Sequence, residues 1–188
     1  MDVSGVGAPI LTASRETKAP DGSVHRADRI VEDVEARSGQ DLIGLACRSG
    51  IDDDAAQDLV QDALLKLWTE VRSGVDILDP TAWTFRVLYR RAMDEHRVRR
   101  RVRDLVARMG LGLATTGEAV ATDDRVSIWS AVDRLPTRQR QVLYLRYKAD
   151  MTFDQLATVI GITASAARAH ASFALRRLRE VLGTQWQD

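Results

Sequence analysis

The sequence predicts an all-α chain: two small helical domains joined by a flexible linker, the C-terminal one a helix-turn-helix. Three observations predict it. Apolar residues recur at helical spacing through most of the 188 residues, and no stretch alternates with the period of a strand. Gly110, Gly112, Thr115, Thr116 and Gly117 interrupt that period between residues 104 and 124, as a linker does. Near the C-terminus, Thr152-Phe153-Asp154-Gln155 offers a capping box, with a Thr N-cap and a Gln three residues on. Gly161 suits the left-handed position that ends the helix so started, and Thr163 caps a second, longer one. Two helices joined by a tight Gly-containing turn form a helix-turn-helix pattern, although an ordinary helical hairpin shares that outline.

The apolar fraction of 45% and charged fraction of 29% are those of a soluble globular protein. Lys and Arg number 27, Asp and Glu also 27, so nucleic-acid binding must rest on local asymmetry. Cys47 is the only cysteine, which excludes an internal disulfide and a Cys-rich metal cluster, and it reads as a small buried residue. No apolar run reaches membrane-spanning length and no signal-peptide core opens the chain, so a cytoplasmic location is expected.

Residues 1–26 carry Gly5, Gly7, Pro9, Pro20 and Gly22 without a period and are expected to be a disordered tail. The N-terminal domain is expected over 27–103. Ala27 to Arg48 is weakly helical, with Ser38-Gly39 dividing it into two helices or bending one. Ile51 to Val71 is the strongest helix. Asp52, Asp53 and Asp54 suit its start, and Val60, Ala63, Leu64, Leu67, Trp68 and Val71 make a broad apolar stripe. The far face holds Asp58, Gln61, Asp62 and Thr69, with Leu65 among them, roughly 130° from the stripe. A polar face with one apolar anchor fits a protein-docking surface, though a lone exposed Leu is also common.

After a loop from Arg72 to Asp79, Asp79-Pro80 starts a helix expected to run to Arg103, with Asp as N-cap and Pro first inside. Phe85, Leu88, Tyr89 and Ala92 should face the core. Trp83, Arg86, Arg90, Asp94, Arg97 and Arg101 lie on another side. Between Arg86 and Arg103 stand eight arginines (86, 90, 91, 97, 99, 100, 101, 103) against Asp94 and Glu95. The helix dipole accounts for the last few, but not for Arg86 and Arg90. Arginines beside an aromatic ring fit a groove that holds a phosphate backbone and stacks a base.

The C-terminal domain is expected over 125–188, after the linker 104–124. Val126 to Leu135 and Arg138 to Lys148 precede the helix-turn-helix. Trp129, Leu143, Phe153, Leu156, Ile160, Ala171, Ala174, Leu175 and Leu178 can close a small core. In the last helix Ser165, Arg168, Ala169, Ser172, Arg176 and Arg179 share the outward side. Small residues flanked by arginines allow close approach to a major groove. Arg168 is the candidate for base readout, Arg176 and Arg179 for phosphates. Phe173, at the edge of that side, is either packed or open to a partner.

His25, His96 and His170 lie in separate segments without metal-type spacing, and no Gly-rich phosphate loop is present. Neither a catalytic constellation nor a need for a cofactor or metal emerges.

Residues Asp54 to Trp68, DAAQDLVQDALLKLW, resemble the core-binding helix of extracytoplasmic-function sigma factors of the sigma-70 superfamily. Pro80-Thr81-Ala82-Trp83 through Asp94 and the arginine run resemble their promoter-melting helix. Leu135-Pro136, Arg140 through Tyr147, Ile160-Gly161-Ile162 and Ala174-Leu175-Arg176-Arg177-Leu178 resemble their C-terminal domain. The resemblance covers about residues 30–103 and 125–182.

It implies a bacterial, non-enzymatic subunit that directs core RNA polymerase to promoters. Core polymerase would bind at Asp58, Gln61, Asp62, Leu65 and Thr69. The −10 element would be captured by Trp83, Arg86, Arg90, Arg97 and Arg101. The −35 duplex would be read by Ser165, Arg168, Ser172, Arg176 and Arg179. Members of the family are often held by an anti-sigma factor, a further expected partner. No membrane insertion is implied, and the bound form would be associated with the nucleoid.

Some positions depart from the family pattern. Arg90 stands where many members have Asn, and His96 where Leu is usual. Ala167 and Ala171 replace larger apolar residues. Ser172, Phe173 and Leu175 stand at positions that are often His or Arg. A stand-alone dimeric helix-turn-helix regulator is the alternative, but it leaves the Leu65 and Trp83–Arg101 faces without a purpose. A pure interaction adaptor leaves two arginine-bearing faces unexplained.

Overall fold

The computed structural model describes residues 11–12, 20–109 and 128–183. Helices dominate: α1 Pro20–Arg48, α2 Asp53–Arg72, α3 Pro80–Arg108, α4 Ile128–Asp133, α5 Thr137–Tyr147, α6 Phe153–Ile160 and α7 Ala164–Gly183. The expected tail and linker lie largely outside the described residues. Where the two overlap, α1 already starts at Pro20 and α3 runs on to Arg108. α1 is one helix across Ser38-Gly39. The all-α expectation holds, with one small addition: β1 (Leu11–Thr12) pairs antiparallel with β2 (Asp76–Ile77). A two-residue bridge is too short to leave an alternating pattern in the sequence.

α1, α2 and α3 pack on one another. Asp52 caps α2 by accepting the Ala55 N–H at 3.0 Å. Ala56, Val60, Ala63, Leu64, Leu67 and Val71 then fall on one buried side. Each large side chain so buried contributes about 1.5–3 kcal/mol. Asp79 caps α3 by accepting the Ala82 N–H at 2.9 Å, and Phe85, Leu88, Tyr89 and Ala92 are buried.

In the second domain the capping box forms as expected, with Thr152 Oγ1 accepting from Gln155 N and Gln155 Oε1 accepting from Thr152 N. Gly161 takes φ 76°, the left-handed conformation that glycine adopts without a Cβ penalty. Of the expected core, Leu143, Leu156, Ile160, Ala171, Ala174 and Leu178 are buried, whereas Trp129, Phe153 and Leu175 are half-buried.

α5 is the unusual element. Gln141, Val142, Leu143, Tyr144 and Leu145 are buried in succession, so no side of this stretch faces water. A helix buried all round needs cover on two sides. α6 and α7 supply one, and α1 of the N-terminal domain supplies the other. The two domains therefore pack together. Gln141 Nε2 donates to Ser49 Oγ at 3.0 Å, Tyr89 Oη to Gln141 Oε1 at 3.4 Å, and Arg138 to the Tyr89 hydroxyl. Arg140 Nε donates to the Arg48 carbonyl at 3.0 Å. The Arg48 guanidinium lies 4.5 Å from the Tyr144 ring centre and 5.5 Å from that of Trp129. A Cβ added at Gly44 of α1 would stand 2.0 Å from the Tyr144 hydroxyl oxygen, so only glycine permits this approach.

Candidate nucleic-acid and protein interfaces

Three faces carry the candidate residues. On α2, Asp58, Gln61, Asp62, Leu65 and Thr69 are all exposed, and Leu65 is 62% exposed. The opposite side of the same helix is the domain core, and Leu65 stands exposed among the polar residues. Asp62 pairs with Arg91 of α3, which fixes one edge of the face. A groove of about 420 Å³ opens beside Gln61, between α1 and α2, with Ile43, Val60 and Leu64 in its lining.

On α3, Arg90, Arg97 and Arg101 are exposed and Arg86 is half-buried. Burial, then the charge of Arg90, push the Arg86 guanidinium below its ordinary value. The arginines are not equivalent. Arg97 pairs with Asp94 at 2.9 Å, and Arg99 with both Asp52 and Glu95 at 2.6 Å. Among the described residues no acid pairs with Arg86, Arg90 or Arg101. Trp83 departs from expectation. It is 7% exposed and belongs to the buried core, so in this arrangement it offers no ring for stacking.

On α7, Ser165, Arg168, Ser172, Arg176 and Arg179 are all exposed along one side, while Ala167, Ala171, Ala174 and Leu178 are buried behind them. The Arg168 guanidinium lies 5.5 Å from the ring centre of Phe153, within cation–π range. Phe173 is resolved as a surface residue, 50% exposed with Arg176 5.0 Å from its ring centre.

The sequence reading missed the contacts between the domains. Arg48 and Ser49 belong to no motif and the block Arg140 through Tyr147 carries only a resemblance, but its apolar run Val142-Leu143-Tyr144-Leu145 beside a glutamine is a signal of a helix covered on two sides. Among the described residues no group of three or more His, Cys, Asp and Glu side chains is placed to hold a metal ion, and no helix is long and apolar enough to cross a membrane.

Comparison with known proteins fits this geometry. Residues 36–102 match Sigma-70 region 2, and residues 131–180 match Sigma-70, region 4. The ECF RNA polymerase sigma factor SigL of Mycobacterium tuberculosis is 32% identical over 136 residues, covering 69% of this chain and 76% of its own. The chain belongs to the ECF sigma factors.

SigK of Mycobacterium ulcerans, another ECF sigma factor, is 27% identical over 149 residues, covering 75% of this chain and 79% of its own. Two solved structures share the fold. CnrH in complex with the cytosolic domain of CnrY has a TM-score of 0.56 at 24% identity, over 89% of this chain and 99% of that one. The sigma factor RpoE of Bartonella quintana, in complex with the anti-sigma factor NepR, has a TM-score of 0.56 at 21% identity, over 88% and 98%. The chain is thus an RNA polymerase sigma factor, and two sigma regions in one chain disfavour the stand-alone regulator.

Proposed function

We propose that this sigma factor divides its work among the three faces. Asp58, Gln61, Asp62, Leu65 and Thr69 dock on core polymerase. Arg86, Arg90, Arg97 and Arg101 hold the −10 strand, with Trp83 joining them once uncovered. Ser165, Arg168, Ser172, Arg176 and Arg179 read the −35 duplex. The working units are residues 27–103 and 125–188, joined by 104–124. The observation that carries the reading is Leu65, 62% exposed in the middle of a polar face whose reverse side is wholly buried. The protein has no chemistry of its own and acts in the cytoplasm, at the nucleoid when bound to polymerase.

Two elements about two helical turns apart are separated by roughly 70 Å. A linker of about 21 residues spans about 70 Å at full extension, but only about 25 Å as a relaxed coil. The linker is therefore held near extension by core polymerase, or the domains themselves cover part of the distance. An anti-sigma factor, as in the RpoE complex, is proposed as the restraining partner.

Run-off transcription with purified core polymerase tests the proposal. Promoter-dependent RNA is expected only when the chain is present, with weak binding of promoter DNA by the free chain at zero net charge. Tight sequence-specific binding by the free chain with no RNA would favour a stand-alone regulator instead.

A further inference from the structure

α7 turns Ala167, Ala171, Ala174 and Leu178 inward. On a wheel of 100° per residue, Ala169 and Arg176 lie roughly 170° from the middle of that buried stripe, on the ridge that points straight away from the core. Ser172 and Phe173 each stand about 130° from the stripe, one on either flank of the ridge. Arg168 and Arg179 stand about 90° and about 110° from it, on the Ser172 flank. A face made of Ser165, Arg168, Ser172, Arg176 and Arg179 alone sits to one side. With Phe173 added, it spans about 140° and is centred nearly opposite the core.

Phe173 is 50% exposed. Its neighbours one turn away on the helix are Ala169, His170, Arg176 and Arg177, two arginines and no acid. Ala169 leaves room for a close approach. The Arg176 guanidinium lies 5.0 Å from the ring centre, within cation–π range. An apolar ring beside two arginines sits in a field that draws a polyanion. The ring has neither a hydrogen-bond donor nor an acceptor, so it is blind to most of the pattern in a major groove. The apolar group in that pattern is the C5-methyl of thymine.

We infer that Phe173 is a specificity-determining residue that packs on the methyl of a thymine in the −35 duplex, beside the phosphate that Arg176 holds. The inference rests on the −35 reading of α7. It adds a contact of a different chemistry from Arg168, whose guanidinium reads acceptors such as those of guanine. Five residues separate the two, roughly 7.5 Å along the helix axis. A base-pair step is about 3.4 Å, so they read different base pairs. Serine bonds to either donors or acceptors and discriminates little, so the ring supplies selectivity that Ser172 across the ridge does not.

The test uses the full chain assembled with core polymerase. Selection from duplexes randomised across both elements should return a −35 site with thymine fixed at one position. Phe173→Ala should lose that preference and keep the others. Exchanging that thymine for deoxyuridine removes the methyl alone. The native holoenzyme should then bind about fourfold more weakly, the contribution of one buried methyl. The Phe173→Ala holoenzyme lacks the contact already and should bind the two duplexes within about twofold of each other, closing a double-mutant cycle. Circular dichroism should not distinguish the variant, because the ring is half in water and Ala is the better helix former.

Equal deoxyuridine penalties in the native and variant holoenzymes would overturn the inference. So would a variant that weakens every duplex alike, or one that selects the native sequence but binds core polymerase less well, which would make the ring a protein anchor. The deoxyuridine exchange leaves the protein native, so it decides even if the variant misfolds: no penalty at any −35 thymine removes the contact. Arg168→Ala separates the two readings. Selection altered by Arg168→Ala but not by Phe173→Ala sinks the role of Phe173 alone. Selection altered by neither sinks the −35 assignment of α7 with it.

Discussion

The indole N–H of Trp68 donates to the Asp28 carboxylate at 2.8 Å, tying α2 to α1 across forty residues of sequence. Trp68 is half-buried, and the Arg72 guanidinium lies 4.9 Å from its ring centre. This pair holds the helix that carries Leu65.

Trp68→Phe keeps the ring but removes the donor. A hydrogen bond to a charged group contributes about 1.5–3 kcal/mol, and water reaches the half-buried Asp28 in part. The expected loss is about 1–2 kcal/mol, read as a lower urea midpoint with an unchanged slope.

Leu65→Asp replaces the exposed anchor with a charge. Because Leu65 is 62% exposed, the fold should be indifferent, and circular dichroism should match native. Core polymerase binding should weaken at least about tenfold, the effect of losing a central anchor. Loss of helicity would move Leu65 into the core and remove it from the docking face.

Arg168 and Arg179 are both exposed on α7 but are assigned different work. Arg168→Ala should relax discrimination at one −35 base pair, with a cost of about 1–3 kcal/mol for the preferred base. Arg179→Ala should weaken all sequences alike and reduce the salt slope by about one. Holoenzyme binding to a panel of −35 variants at several salt concentrations checks both.

Asp52 caps α2 and also receives Arg99 at 2.6 Å. The Ala55 N–H, then the Arg99 hydrogen bond, hold its carboxyl below the ordinary value. A depressed folded-state pKa contributes stability that is present above the unfolded value of about 3.9 and lost as pH falls through the folded one. Asp52→Asn keeps a capping side chain without the charge. The native chain should lose stability more steeply below about pH 4 than this variant, as thermal melts across that range would show.

Much of the architecture could be read in the sequence because local signals and tertiary demands agreed. The capping box at Thr152, the turn at Gly161 and the stripe of α2 all formed as their residue types require. The outward residues of α2 and α7 were legible because one buried side fixes the other. Trp83 was not, since a wheel shows which residues share a side but not what packs against that side. The Gly44–Tyr144 contact was hidden for the same reason, joining positions a hundred residues apart. The β1–β2 bridge was too short to register.

Because residues 141–145 of α5 are buried in unbroken succession, each answers to neighbours within its domain or across the domain boundary. A saturation scan should find this short helix the least tolerant segment of the chain. Leu143 and Leu145 would fail through loss of fold. Gln141 and Tyr144 would fail through a looser contact between the domains. Drift at Tyr144 in a lineage would then have to be matched at Gly44, Arg48 or Asp41, leaving a covarying set split between the two halves of the gene.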